Sequence, residues 1–312
     1  MKPENSAIGS LRYIKTDLAM ERIPDGNSEG ITVSEDRVNG FSVHRLTVDV
    51  PREGIAEAGR YVTVTLGRPW LESAERVSQA AETLAAVLKE LLPRGAELRP
   101  SSSDKPQRRA KDISSALTVC LGNRKITADA VGPLCADRLI ATRHLKTERP
   151  EIWRELGEVS LSALSPGVSG ETGIETCELA LAAVKTAKPQ VVITVDALSA
   201  RDTERLGTSV QITDTGIAPG SGVGNRRTAI SEKTLGVPVI SVGVPTVAHS
   251  ATLIRDALEK SGADADDAEL ETALSAGREL FVTPRDCDLA VDSMAEIIAR
   301  AVNLLFLGFE RL

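Results

Sequence analysis

Gln190-Val191-Val192-Ile193-Thr194-Val195-Asp196-Ala197-Leu198-Ser199 is the stretch on which the fold turns. Four of the five residues before Asp196 are apolar and three of those are valine, the composition of a strand buried on both faces of an α/β sheet. Asp196 then stands where that strand is expected to end. In open α/β sheets the carboxyl ends of the strands border the crevice that takes ligands. A carboxylate there is either a cap for the following turn or a catalytic or metal-binding group, and position alone does not choose between them.

Outward from this strand, residues 1–40 read as polar and loop-like, with one short amphipathic island at Ile14–Glu21. Strands are expected at Phe41–Val50 and Arg60–Leu66, joined by a turn over Pro51–Gly59. Glu72–Leu92 carries Val77, Ala80, Ala81, Leu84, Val87, Leu88 and Leu91 at helical spacing. Residues 93–112 form an exposed connection. From residue 113 the alternation becomes regular. Strands are expected at Leu117–Leu121, Glu158–Leu164, Ser209–Thr213 and Val237–Val242, and helices at Gly132–Leu145, Gly173–Lys185, Ser250–Lys260, Glu269–Leu280 and Asp286–Phe306. Thr203–Leu206 reads as a short turn or helix. Strands alternating with helices predict a three-layer α/β/α fold with a largely parallel mixed central sheet of phosphorylase/hydrolase-like type, plus an N-terminal β-rich extension. Residues 16–112 supply that extension and 113–312 the core of a single domain.

The 312 residues, 42% hydrophobic and 26% charged, are ample for a sizeable core. Aromatics at 3% leave that core to Ala, Val, Leu and Ile, and offer little for stacking on single-stranded nucleic acid. A net charge of −7 also argues against a nucleic-acid partner, and the short basic run Lys105–Lys111 reads as a solvated loop. No apolar run is long enough to span a bilayer, and Met1–Asn5 lacks the apolar core of a secretory signal. Cys120, Cys135, Cys177 and Cys287 are widely spaced without a CxxC pair, so they read as buried free thiols of an intracellular protein.

The glycine-rich segment Gly216–Arg227 invites a phosphate-loop reading and fails it. No Gly-Lys pair follows Gly216 at the required distance, and Gly220, Gly222 and Gly224 recur by twos rather than as GxGxxG. A loop that shapes a substrate groove is the better functional reading, with Gly220, Ser221, Gly222, Asn225 and Arg226 as substrate-binding residues. There is no GxSxG elbow for serine catalysis. Of the three histidines, His44 falls in a strand without a motif and His144 at the end of a helix, while His249 lies just past the strand Val237–Val242. Asp129 follows the strand Leu117–Leu121 by one short loop and precedes a helix, which is either an N-cap position or a second carboxylate converging with Asp196 at one sheet edge. Two neighbouring carboxylates do not both ionise easily, so the pair supplies an acid and a base for attack of water on a peptide bond.

The motifs Leu121-Gly122-Asn123, Ala128-Asp129-Ala130-Val131-Gly132-Pro133, Thr142-Arg143-His144-Leu145, Ser165-Pro166-Gly167-Val168, Thr172–Thr176 and Val195-Asp196-Ala197-Leu198 resemble the spore germination protease family. Gln211–Ile217, Pro219–Asn225 and Gly243-Val244-Pro245-Thr246-Val247 continue the resemblance, which fades towards Ile14–Glu21 and Val282-Thr283-Pro284. It implies an endopeptidase of the spore-core cytoplasm that degrades small acid-soluble spore proteins during germination. It further implies a homo-oligomer, a tetramer in the family, with a fold similar to hydrogenase-maturation peptidases. The two functional aspartates of the family map onto Asp129 and Asp196, with no cofactor. Family members remove an N-terminal propeptide by self-cleavage, which here corresponds to residues 1–15. Where relatives carry an aspartate after the Gly243–Val247 motif, this chain has His249, so a divalent metal held by Asp129, Asp196 and His249 is the alternative. The segment between Ser250 and Val282 is also shorter than in Bacillus-type members.

Overall fold

The computed structural model describes residues 16–23, 30–52, 56–93, 97–98, 112–220, 227–261 and 280–309. One mixed sheet organises them. In chain order its strands are β1 (Ile31–Val38), β2 (Phe41–Val48), β3 (Gly59–Thr65), β4 (Ser115–Cys120), β5 (Ser160–Leu164), β6 (Val191–Ser199), β7 (Ser209–Thr213), β8 (Val239–His249) and β9 (Phe281–Val282). In space they run β1-β2-β3-β7-β8-β6-β4-β5, with β9 on the far end of β8.

The sheet is mostly antiparallel, which corrects the expectation of a largely parallel one. Only β8/β6, β6/β4 and β4/β5 pair in parallel, whereas β1/β2, β2/β3, β3/β7, β7/β8 and β8/β9 are antiparallel. A parallel return needs a crossover of a dozen or more residues, and the stretch 200–208 between β6 and β7 contains only a 3-10 turn at Thr203–Arg205. β7 therefore comes back antiparallel on the other side of β8, and β3 joins it through the ladder from Tyr61↔Thr213 to Thr65↔Ser209. The N-terminal hairpin is thus part of the central sheet.

β1 was not expected, since residues 31–38 read as loop. Its strand is exposed after Ile31, as suits a sheet edge, and its hairpin to β2 turns on Asn39-Gly40, both at positive φ (50° and 81°). An Asn-Gly pair in this conformation matches the twist of the flanking strands.

Side chains alternate cleanly across the central strands, and this places the two helix layers. Ala116 and Cys120 of β4 with Val191, Ile193 and Val195 of β6 face a large apolar cluster, while Leu117, Val119, Leu121 and Val192 face a second one. The large cluster is closed by α1 (Ala74–Leu91), α2 (Val131–Ala136) and α5 (Cys287–Leu307). α1 starts where the Ser73 hydroxyl accepts the Arg76 N–H, and α5 stops at Gly308 in the left-handed conformation. The second cluster is covered by α3 (Thr176–Ala187), opened by a Glu175/Glu178 capping box. α4 (Ser250–Ser261) follows β8 directly. The α/β/α layering holds.

The helix expected over Gly132–Leu145 is short. α2 ends at Ala136, because Thr142 is buried against β5, its N–H and that of Arg143 both donating to the Leu161 carbonyl while its hydroxyl accepts the Leu161 N–H. Short helical turns at Leu145–Glu148 and Pro150–Glu155 follow. His144 therefore precedes a helical turn and does not end one. The expected helix Glu269–Leu280 lies, apart from Leu280, outside the described residues. All four cysteines are buried and unpaired.

α2 sits on the end of β4 only because residue 132 lacks a side chain: a Cβ there would meet the Leu121 carbonyl oxygen at 2.1 Å and the Leu121 nitrogen at 2.6 Å. Backbone cannot yield as a flexible side chain does. Gly132→Ala is expected to destabilise the fold by about 1–3 kcal/mol or more, read as a lower urea midpoint at unchanged slope.

Candidate functional site

Asp196 does not follow β6; it lies within it, paired in register with Gly243 of β8. By alternation its side chain falls on the face of Val192 and Thr194. Along that face β6 changes from apolar to polar: Val192 is core, Thr194 donates to the Ser241 hydroxyl at 2.8 Å, and Asp196 comes next. Only 6% of Asp196 is exposed. Its Oδ1 accepts the Ala197 N–H at 2.9 Å, so it caps no helix.

β4 stops at Cys120, opposite Val195, and Leu121 N–H donates to the Val195 carbonyl before the chain turns away. Gly122 makes the turn at φ +113°, where a Cβ would lie 2.1 Å from the Asp129 carbonyl oxygen. The turn brings the Asn123 N–H to Asp129 Oδ2 at 2.8 Å. Asp129 ends the 3-10 turn Thr127–Asp129, which the Thr246 hydroxyl of β8 holds by donating to the Ala128 carbonyl at 2.6 Å. The N-cap reading of Asp129 is not what the structure shows: the residue preceding α2 is Ala130, with no side-chain cap.

Asp129 and Asp196 line one cavity of about 440 Å³, together with Gly220, Arg227, Thr246 and Asp17. Its remaining walls are largely apolar, including Leu121, Ile126, Val168, Leu198, Ile217 and Phe281. The two carboxylates are held differently. Burial raises the Asp196 carboxyl well above the usual range, and the charges of Asp129 and Asp17 push it further in that direction. Burial raises Asp129 as well, but the Asn123 N–H and the Arg227 guanidinium both oppose that rise. Asp196 is therefore the partner that keeps a proton, and Asp129 the one that ionises first. Because they interact, their titration belongs to the pair.

The structure brings Gly220 to the cavity; Ser221, Gly222, Asn225 and Arg226 lie outside the described residues. His249 is not brought there. It closes β8, buried, its ring set edge-on against Phe281 at 5.3 Å and its Nδ1 accepting the Ala251 N–H at the start of α4. Among the described residues no group of three His, Cys, Asp or Glu is arranged to hold a metal ion, so the set Asp129, Asp196 and His249 does not assemble.

Two cavity residues escaped the sequence reading. Arg227 closes the glycine-rich segment, one position past Arg226. Asp17 belongs to the amphipathic island, whose residues from Thr16 onward are strapped to the end of β6. Asp17 N–H donates to the Ser199 carbonyl and its Oδ2 accepts the Ser199 N–H, both at 2.8 Å. The Gln211 side chain grips the same strap, accepting the Ala19 N–H and donating to the Asp17 carbonyl. The apolar signal of Leu18 was legible; which strand end it docks on was not.

The profile of the family described as germination protease matches residues 14–261. Germination proteases of Caldanaerobacter subterraneus and Clostridium acetobutylicum are 37% and 32% identical to this chain, over 93% and 94% of it and 93% and 95% of their own lengths. That of Bacillus velezensis is 39% identical over 79% of this chain and 66% of its own. Among solved structures, a NiFe hydrogenase maturation protease, HycI, of Thermococcus kodakarensis aligns with 61% of this chain at 16% identity and a TM-score of 0.32. The molecule is a peptidase on an α/β/α scaffold. It belongs to the germination protease family.

A carboxyl raised by burial binds its proton more tightly in the folded chain than in the unfolded one. Asp196 therefore favours folding below the ordinary aspartate range near pH 3.9, and that contribution is lost as pH rises through its folded value. Asp196→Asn, which keeps a neutral side chain of the same shape, is expected to raise the thermal midpoint at neutral pH. The difference from the natural chain should vanish in acid, as differential scanning calorimetry across pH would read.

Proposed function

We propose that Asp129 and Asp196 are the catalytic pair of an endopeptidase acting on small acid-soluble spore proteins. The observation that carries this is the unequal treatment of two carboxylates lining one cavity. A general base is useful ionised and a general acid protonated, and environments that separate two carboxyl groups in this way mark the roles. Ionised Asp129 takes a proton from a water as its oxygen attacks the scissile carbonyl carbon. Protonated Asp196 gives its proton to the carbonyl oxygen. Collapse of the tetrahedral intermediate breaks the C–N bond, the amine leaves with the proton gathered by Asp129, and the carbonyl oxygen returns its proton to Asp196. Water is consumed and the pair is restored.

The apolar walls limit water around the reacting groups, and the segment Gly216–Arg227, of which Gly220 and Arg227 line the cavity, would position an extended substrate together with Ser221, Gly222, Asn225 and Arg226. Residues 1–15 are proposed as a propeptide removed by self-cleavage, leaving 16–312 as the working domain. The tight docking of Thr16–Arg22 beside the cavity supports a boundary just before it. The spore-core cytoplasm and a homo-oligomer, a tetramer, complete the reading. No helix among the described residues is long and apolar enough to cross a membrane.

Either Asp129→Asn or Asp196→Asn is expected to lower cleavage of a small acid-soluble spore protein by about 10²-fold or more, with both variants folded by circular dichroism. Normal rates in either would overturn the pair. A chain beginning at Thr16 is expected to cut the same substrate without processing, and dialysis against a chelator is expected to leave the rate unchanged. Loss of activity that an added divalent metal restores would favour the metal alternative.

A further inference from the structure

The charged residues lining the cavity, among those described, are Asp129 from the 3-10 turn, Asp196 from β6, Arg227 from the glycine-rich segment and Asp17 from the N-terminal strap. The proposed chemistry uses the first two, and Arg227, with the Asn123 N–H, opposes the rise that burial imposes on Asp129. Asp17 is left. It is firmly placed: its main chain donates to Ser199, its carboxylate accepts from Ser199, its carbonyl accepts from Gln211, and its neighbour Leu18 is fully buried against Leu198, Leu206 and Ala248. Burying a leucine of that kind contributes about 1.5–3 kcal/mol, so the strap is not a casual contact. Ser199 lies on the same strand as Asp196, three positions on, and Leu198 lies between the two on the face of Asp196.

We infer that Asp17 is a positioning residue of the catalytic pair: its fixed negative charge at the cavity wall keeps the shared proton on Asp196, so that Asp196 works as the acid and Asp129 as the base. This rests on the proposed pair and adds a third carboxylate to it. The direction agrees with the electrostatics, since the charge of Asp17 makes ionisation of Asp196 harder while Arg227 makes that of Asp129 easier. The strap thereby couples the integrity of the N-terminal segment to the protonation state of the site.

The test compares Asp17→Asn, which keeps an oxygen for the Ser199 N–H but removes the charge, with Asp17→Ala, which removes both. Rates of spore-protein cleavage by the full chain are measured across pH, alongside thermal midpoints. With Asp17→Asn the alkaline limb of kcat/KM is expected to move to lower pH, because Asp196 then loses its proton more readily. At the pH where the natural enzyme has fallen to half its maximum, this reads as a loss of about two-fold or more, with the acid-side plateau and the thermal midpoint retained. Asp17→Glu should restore the limb at least in part. An unshifted limb in Asp17→Asn overturns the inference, and so does a fall in thermal midpoint without any change in profile, which is what a clasp alone would give. If Asp196→Asn retains normal activity, the pair itself fails and Asp17 with it; if Asp196→Asn is inert and the Asp17→Asn limb is fixed, only the role of Asp17 fails.

Discussion

A carboxylate inside a central strand is the constraint to which the rest of this molecule answers. Removing an ionised group from water costs several kcal/mol even after relaxation, and a group so placed keeps its proton instead. Among the described residues no cation is paired with Asp196; its Oδ1 accepts the next residue's N–H. The fold tolerates this because the strand leading up to it is well packed: Val191, Ile193 and Val195 are fully buried in the large cluster, Val192 in the smaller one, and Thr194 has Ser241. Opposite Asp196 stands Gly243, where any side chain would collide with Leu198 at 2.3 Å. The glycine leaves room for the Leu198 side chain beside the buried acid.

The asymmetry between the two aspartates follows from where the strands stop. β6 runs on past Asp196 to Ser199, whereas β4 ends at Cys120 and hands over to a turn. Within its strand Asp196 accepts the Ala197 N–H but is almost fully enclosed, so burial dominates. An acid on a turn can collect a free amide, as Asp129 collects that of Asn123 through the positive φ of Gly122. One sequence element thus yields the group that holds its proton longer and the other the group that ionises first. The long strand β8 ties the two together, pairing with β6 along one edge and holding the Asp129 turn through Thr246.

Much of the architecture was legible in particular residues. The valine-rich stretch of β6, the heptad-like apolar spacing of α1 and the apolar face of Asp286–Phe306 all gave elements close to those observed. The errors have physical causes. β1 is polar along its length because it is an edge, and composition alone cannot separate such an edge from a loop; the Asn39-Gly40 turn was the overlooked signal. The overlong helix beyond Ala136 failed because Thr142 finds its partners on β5, far along the chain. Alternation of strands and helices implies a parallel sheet only where each connection can carry a crossover, and 200–208 is too short for one.

By itself the sequence determined the family and the layered class of fold, and it singled out two aspartates that line one cavity, because apolar periodicity and ordered motifs are local properties of the chain. It also marked the glycines at 122 and 132 without saying what they avoid. The tertiary structure alone decided that the sheet is mostly antiparallel, that Asp196 sits within its strand, that His249 faces Phe281 and a helix start, and that Asp17 and Arg227 stand at the cavity wall. Those depend on strand order and on contacts between residues nearly two hundred positions apart, such as Asp17 and Ser199. Charge acts through space, so the protonation of a buried acid is set by whichever groups the fold places near it.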